Sequence, residues 1–141
     1  MVIRENYLAK IRPFIGKDII KVLTGIRRGG KSVLLEQIRD EINSPNTIFL
    51  NFEDLGNQRL CEYNALHDYV CEKIGNSKEQ FYLFFDEIQE VQGWEKVVNS
   101  LRVKFHADIY ITSSNSRLLS GELTTYIAGR YISFVVYPFS F

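Results

Sequence analysis

The chain has only two cysteines and two histidines in 141 residues, and no net charge. No apolar run approaches the roughly 18–20 residues that a membrane-spanning helix needs. The first residues, Met-Val-Ile-Arg-Glu-Asn, lack the charged start and long apolar stretch of a signal peptide. A cytoplasmic protein with no membrane partner is therefore expected. Cys61 and Cys71 stand alone, ten residues apart, which fits a reducing compartment and excludes the clustered ligands of a zinc site. His67 and His106 have no catalytic or metal partner in the sequence. Low-complexity and repeated segments are absent too. Hydrophobic residues at 45% and charged residues at 24% are ordinary for a globular protein, and the length suits one domain.

Charge is nonetheless unevenly distributed. Residues 1–35 carry eight Lys/Arg against two Asp/Glu, residues 36–95 four against thirteen, and residues 96–141 five against two. Part of the first excess lies in a glycine-rich loop described below. The rest (Arg4, Lys10, Arg12, Lys17, Lys21) either meets nucleic acid or an acidic partner, or forms a solvated helix face.

Hydrophobic periodicity predicts alternating strands and helices. Residues 4–16 read as a short amphipathic segment broken by Pro13 and Gly16, and Ile19–Thr24 as a buried strand. A helix starts near Lys31, with Leu34, Leu35, Ile38 and Ile42 on one face. After a turn at Ser44-Pro45-Asn46, Thr47–Phe52 is a second strand, and Leu66, Tyr69, Val70 and Ile74 mark a helix ended by Gly75. Phe81–Phe85 is apolar on both faces, as a central parallel strand is. Trp94, Val97, Val98, Leu101 and Phe105 repeat at helical spacing, and Asp108–Thr112 and Tyr131–Val136 are two more strands. Such alternation predicts an α/β fold of three layers, a parallel sheet covered on both faces.

Four motifs carry chemistry. The first is Gly25-Ile26-Arg27-Arg28-Gly29-Gly30-Lys31-Ser32, between a strand and a helix that continues with Val33. Its glycines let the backbone approach a phosphate, and its amides and the helix N-terminus face the anion. Lys31 neutralises β- and γ-phosphates in this reading, and Ser32 ligates Mg2+. Arg27 and Arg28 contact nucleotide, a partner or solvent. The second motif is the apolar strand ending in Asp86-Glu87. Paired carboxylates at the C-terminal edge of a parallel sheet lie where ligands bind; Asp86 would hold the Mg2+ shell through water and Glu87 would polarise an attacking water. The third is Ile111-Thr-Ser-Ser-Asn115, where Ser114 or Asn115 could hydrogen-bond the γ-phosphate or the water. The fourth is Gly129-Arg130, an arginine able to reach a γ-phosphate, usually a neighbouring subunit's, or else a surface residue after a turn.

Together these residues resemble the AAA+ superfamily of ATPases, and more narrowly a prokaryotic AAA+-type family with a Gly-x-Arg-Arg-x-Gly-Lys-Ser/Thr loop and an Asp-Glu-Ile-Gln box. The matching stretches are Gly25–Ser32, Asp86–Gln89 with Trp94 following, Ile111–Asn115, and Ala128–Arg130 leading to Tyr137–Phe141. The resemblance implies a sheet of order 5-1-4-3-2, a sensor role for Ser114 or Asn115, and an arginine-finger role for Arg130, in trans within a homo-oligomer. Family members continue into a helical lid and a further domain. This chain stops at Phe141, so residues 1–141 are expected to be the ATPase core alone, as in a truncated gene product.

The expected function is Mg2+-dependent ATP binding and hydrolysis, coupled to a conformational change in an attached or bound partner. Nucleic acid, a protein client and self-contained signalling all fit. A GTPase is disfavoured, because Asn76-Ser-Lys-Glu79 is not an Asn-Lys-x-Asp motif. A small-molecule kinase shares the loop but has less need of Asp86-Glu87 to activate water. The alternative from another class is a nucleotide-binding regulatory switch with little turnover.

Overall fold

Strand order and helix placement follow from where each apolar face finds cover. The computed structural model describes residues 5–26, 30–115 and 130–137. In chain order it has α1 (Glu5–Ile11), β1 (Ile20–Thr24), α2 (Lys31–Ile42), β2 (Thr47–Asn51), α3 (Tyr63–Ile74), β3 (Phe81–Asp86), α4 (Trp94–Lys104), β4 (Ala107–Ser113) and β5 (Tyr131–Val135). The sheet order is β2-β3-β4-β1-β5, which is the expected 5-1-4-3-2 read from the other edge, with parallel pairings throughout. Parallel strands need crossovers, and α2, α3 and α4 supply those from β1 to β2, from β2 to β3 and from β3 to β4. Boundaries move by a residue or so. Phe52 lies outside β2, although its N–H still donates to Asp86 O at 3.0 Å. Phe105 is the C-cap of α4 rather than part of it.

Each face of the sheet has its own core. On one face Tyr7, Leu8 and Ile11 of α1 and Leu34, Leu35 and Ile38 of α2 meet Leu23, Phe84 and Tyr110. On the other, Leu66 and Val70 of α3 and Val97, Val98 and Leu101 of α4 meet Val22, Leu83, Phe85, Ile109 and Ile111. Full burial of each such aliphatic side chain stabilises the fold by about 1.5–3 kcal/mol before chain entropy is counted. This is the three-layer arrangement the periodicity predicts.

One row of residues crosses four strands. Phe49, Phe84, Tyr110 and Lys21 are neighbours in register. The first three rings stack at centroid distances of 5.7 and 4.8 Å. Lys21 is 0% exposed, so it is not the surface charge that its place in the basic N-terminal stretch suggested. Its ammonium pairs with the Asp108 carboxylate and donates to Lys17 O at 2.9 Å. Burial pushes the Lys21 ammonium below the usual lysine value, while Asp108 pulls the other way. Arg12 is also engaged within the chain, by Glu5 and Glu41.

Candidate phosphate and metal site

Because β3, β4 and β1 are adjacent and parallel, their C-terminal ends bring three motifs to one edge of the sheet. Gly25 follows β1 with φ +153°. A Cβ there would lie 2.3 Å from Val136 O, so only glycine lets the loop pass the end of β5. Gly25→Ala is accordingly expected to displace one of the two segments. A stability loss of about 1–3 kcal/mol in chemical unfolding is the expected readout. Gly30, with φ +94°, is the N-cap of α2 and has no side chain with which to cap that end. Backbone amides at a helix N-terminus suit an anion. Ile26 is exposed and Val33 is half-buried in the first turn of α2, whereas Arg27, Arg28 and Gly29 lie outside the described residues.

Lys31 is 2% exposed, and its cationic head is satisfied by acceptors of the loop. The ammonium donates to Gly25 O at 3.2 Å, Ile26 O at 2.8 Å and Ser114 Oγ at 3.0 Å. Ser32, one residue on, donates from Oγ to Asp86 Oδ2 at 2.6 Å. Asp86, 2% exposed, has its other oxygen bound by the Thr112 hydroxyl at 2.5 Å. Burial raises the Asp86 carboxyl above the ordinary aspartate value, with the Glu87 charge adding to it. The Ser32 and Thr112 hydrogen bonds and Lys31 offset part of that rise.

Glu87 adopts a left-handed backbone, φ 57° and ψ 55°, which costs a non-glycine residue roughly 1 kcal/mol. The Thr112 hydroxyl accepts the Glu87 N–H at 2.9 Å and so secures this turn. The carboxylate accepts from Ser114 N at 3.0 Å, Ser114 Oγ at 2.9 Å and Gln89 Nε2 at 3.0 Å. Burial alone would raise its pKa. The hydrogen bonds from Gln89 and Ser114, with the Lys31 charge, outweigh burial and hold it below the ordinary glutamate value.

Of the two candidate sensors, Ser114 is the one whose hydroxyl meets both Lys31 and Glu87. Asn115 is exposed, and its N–H donates to Ser113 Oγ at 2.9 Å. Arg130 lies at the other edge of the sheet. Its carbonyl accepts from Ile20 N at 3.0 Å, and β1 then runs five residues, about 16 Å, to Gly25. Its guanidinium is 61% exposed and 3.5 Å from Asp18. Gly129, Ala128 and residues 138–141 lie outside the described residues.

Sequence reasoning missed Thr112. The signal was its register: Phe85 pairs with Ile111, so the next residues along, Asp86 and Thr112, are also neighbours.

The donor set suits Mg2+. A serine hydroxyl and a carboxylate already touch, and Mg2+ takes one or two protein oxygens and completes its shell with water and substrate phosphates. Among the described residues no group of three His, Cys, Asp or Glu could hold a metal unaided. None of the described helices is long and apolar enough to cross a membrane.

A family model described as an AAA domain matches residues 17–141. An uncharacterized protein of Haemophilus influenzae is 47% identical over 146 residues, covering 100% of this chain and 36% of its own length. Another, from Methanocaldococcus jannaschii, is 40% identical over 151 residues, covering 99% of this chain and 33% of its own length. The chain spans about a third of the length of these relatives. Among solved structures, Drosophila ORC bound to AT-rich DNA and Cdc6 superposes with TM-score 0.67 at 10% identity, over 97% of this chain and 56% of that one. AMPPCP-bound DnaA from Aquifex aeolicus gives 0.59 at 16%, over 96% and 47%. C. elegans PCH-2 gives 0.62 at 15%, over 96% and 42%. At these identities the likeness is of fold alone.

Proposed function

This chain belongs to the AAA-domain family, and from that premise we propose that it binds Mg-ATP and hydrolyses it. The observation that carries the reading is the contact of Ser32 Oγ with Asp86 Oδ2 at 2.6 Å beside buried Lys31. Two sequence-distant motifs there form one polar site at the N-terminus of α2.

Each side chain has a role in this reading. Lys31 exchanges its loop acceptors for β- and γ-phosphate oxygens. Ser32 and Asp86, already in contact, would hold the metal. Bound Mg2+ supplies neutralisation of the charge on the transferred phosphoryl group. Glu87, ionised at neutral pH, accepts a hydrogen bond from the attacking water and polarises it. Ser114 links Lys31 to Glu87 and acts as sensor, with Asn115 beside it. Arg130, exposed at the far edge, acts in trans in a homo-oligomer. Residues 1–141 are the ATPase core of this scheme, in the cytoplasm. Hydrolysis drives a conformational change in an attached or bound client, either a protein or a nucleic acid; the Drosophila ORC structure, similar in fold, is bound to DNA.

Calorimetric titration tests the binding half. Wild type is expected to bind Mg-ATP, and Lys31→Ala to bind roughly 10–100-fold more weakly, since charged hydrogen bonds to phosphate are lost. Absence of Mg-ATP binding by wild type would sink the reading. A second reading, a regulatory switch with little turnover, is favoured by one observation: Ser114 and Gln89 already occupy the Glu87 carboxylate.

A further inference from the structure

The outer helical layer brings together four side chains that the nucleotide site does not use. His67 and Cys71 lie one turn apart on α3, and Ser100 and Lys104 one turn apart on α4. Where the helices meet, His67 Nδ1 is 3.5 Å from Cys71 Sγ, and His67 Nε2 is 2.8 Å from Ser100 Oγ. Lys104 Nζ is 3.7 Å from the same sulfur. The thiol therefore has a base on one side, oriented by a hydroxyl, and a cation on the other. Cys71 is partly exposed, and His67 and Ser100 also line a cavity of about 250 Å3.

Cys61 provides the contrast. Its sulfur faces the carbonyl oxygens of Phe52 at 3.6 Å and Asn57 at 3.7 Å, which accept an S–H but repel a thiolate. Burial and the Glu90 charge push that thiol up. No base or cation stands beside its sulfur in these contacts.

We infer that Cys71 is a reactive thiol that undergoes thiol–disulfide exchange with small anionic disulfides. His67 takes the thiol proton as the sulfur attacks one sulfur of the disulfide. A new S–S bond forms to Cys71, the old S–S bond breaks, and the second sulfur departs as a thiolate that receives the proton from His67. Cys71 is thereby oxidised to a mixed disulfide, and half of the reagent is reduced to a thiol. Lys104 faces the negative charge that builds on sulfur and attracts an anionic reagent. Helix α4 returns the chain from the end of β3 to the start of β4, so Lys104 lies toward the sheet edge away from Lys31. The inference does not rest on the nucleotide reading.

The test follows reaction of the whole chain with a dianionic nitrobenzoate disulfide, whose leaving thiolate is coloured, and with a neutral dipyridyl disulfide. Two phases are expected, one for each of the two thiols. Peptide mass mapping of wild type stopped after the fast phase is expected to find the label on Cys71, with no variant needed. The fast phase is expected to vanish in Cys71→Ser and persist in Cys61→Ser. His67→Gln is expected to slow it roughly tenfold or more with both reagents. Lys104→Met is expected to slow the dianion by roughly tenfold and the neutral reagent less. A label found first on Cys61 would overturn the inference, as would a fast phase that survives Cys71→Ser. Unchanged Cys71 rates in both His67→Gln and Lys104→Met would also overturn it.

Discussion

Glu87→Gln is expected to bind Mg-ATP within a few-fold of wild type and to release phosphate roughly 10²–10⁴-fold more slowly. The substitution preserves shape and an acceptor oxygen for Ser114 N–H, and the Glu87 N–H keeps its bond to Thr112. The loop, Lys31, Ser32 and Asp86 are untouched, so affinity is retained. What is lost is the negative charge that polarises water in the proposed mechanism. Single-turnover phosphate release, measured beside equilibrium binding, checks both halves. Equal release by the two proteins would remove Glu87 from the mechanism. If wild type is already as slow as the variant while binding tightly, the switch reading prevails, with Ser114 and Gln89 as the groups that hold the carboxylate idle.

Local chemistry made half of this site legible in the sequence. The glycine-rich loop and Asp86-Glu87 each announce themselves within eight residues, because phosphate binding needs consecutive amides and because acids are costly at the end of a buried strand. The periodicities gave the layers, since α2, α3 and α4 bury the faces their spacing marks. Strand order came from resemblance, not from pattern, because period-2 alternation says which face is buried and nothing about the neighbouring strand. What the pattern leaves open shares that cause. Thr112 reads as one more β-branched strand residue until β4 is set beside β3. The choice between Ser114 and Asn115 depends on the left-handed turn at Glu87 and on where the chain leaves β4. Which edge of the sheet holds Arg130 follows only from the parallel pairing of β5 with β1. Lys21 reads as part of a basic stretch until Asp108 of β4 is set next to it.

That last pair supports the second large effect. Asp108→Ala is expected to destabilise the fold by about 3–5 kcal/mol, because it leaves the Lys21 ammonium buried without a counter-charge. The two halves of the pair are not equivalent. Asp108 also accepts from Gly16 N at 2.8 Å and from Tyr110 OH at 2.7 Å, whereas Lys21 otherwise has Lys17 O. Lys21→Met is therefore expected to cost less than Asp108→Ala, since the carboxylate keeps two donors. The double variant is expected to recover part of the single Asp108 loss, because no unpaired charge remains. Domains are stable by only about 5–15 kcal/mol, so the single loss is a large fraction of the total. It corresponds to a fall in Tm on the order of 10–20 °C. Urea unfolding of the four proteins in the cycle measures it, and an Asp108→Ala within about 1 kcal/mol of wild type would contradict it. The pair joins β1 to β4 at the edge opposite the glycine-rich loop. The same two strands end at Thr24 and Ser113, which are in register, and the chain leads on from them to Lys31 and Ser114, whose side chains meet at 3.0 Å. A partly folded Asp108→Ala is thus expected to lose Mg-ATP binding along with stability, while Glu87→Gln loses turnover alone.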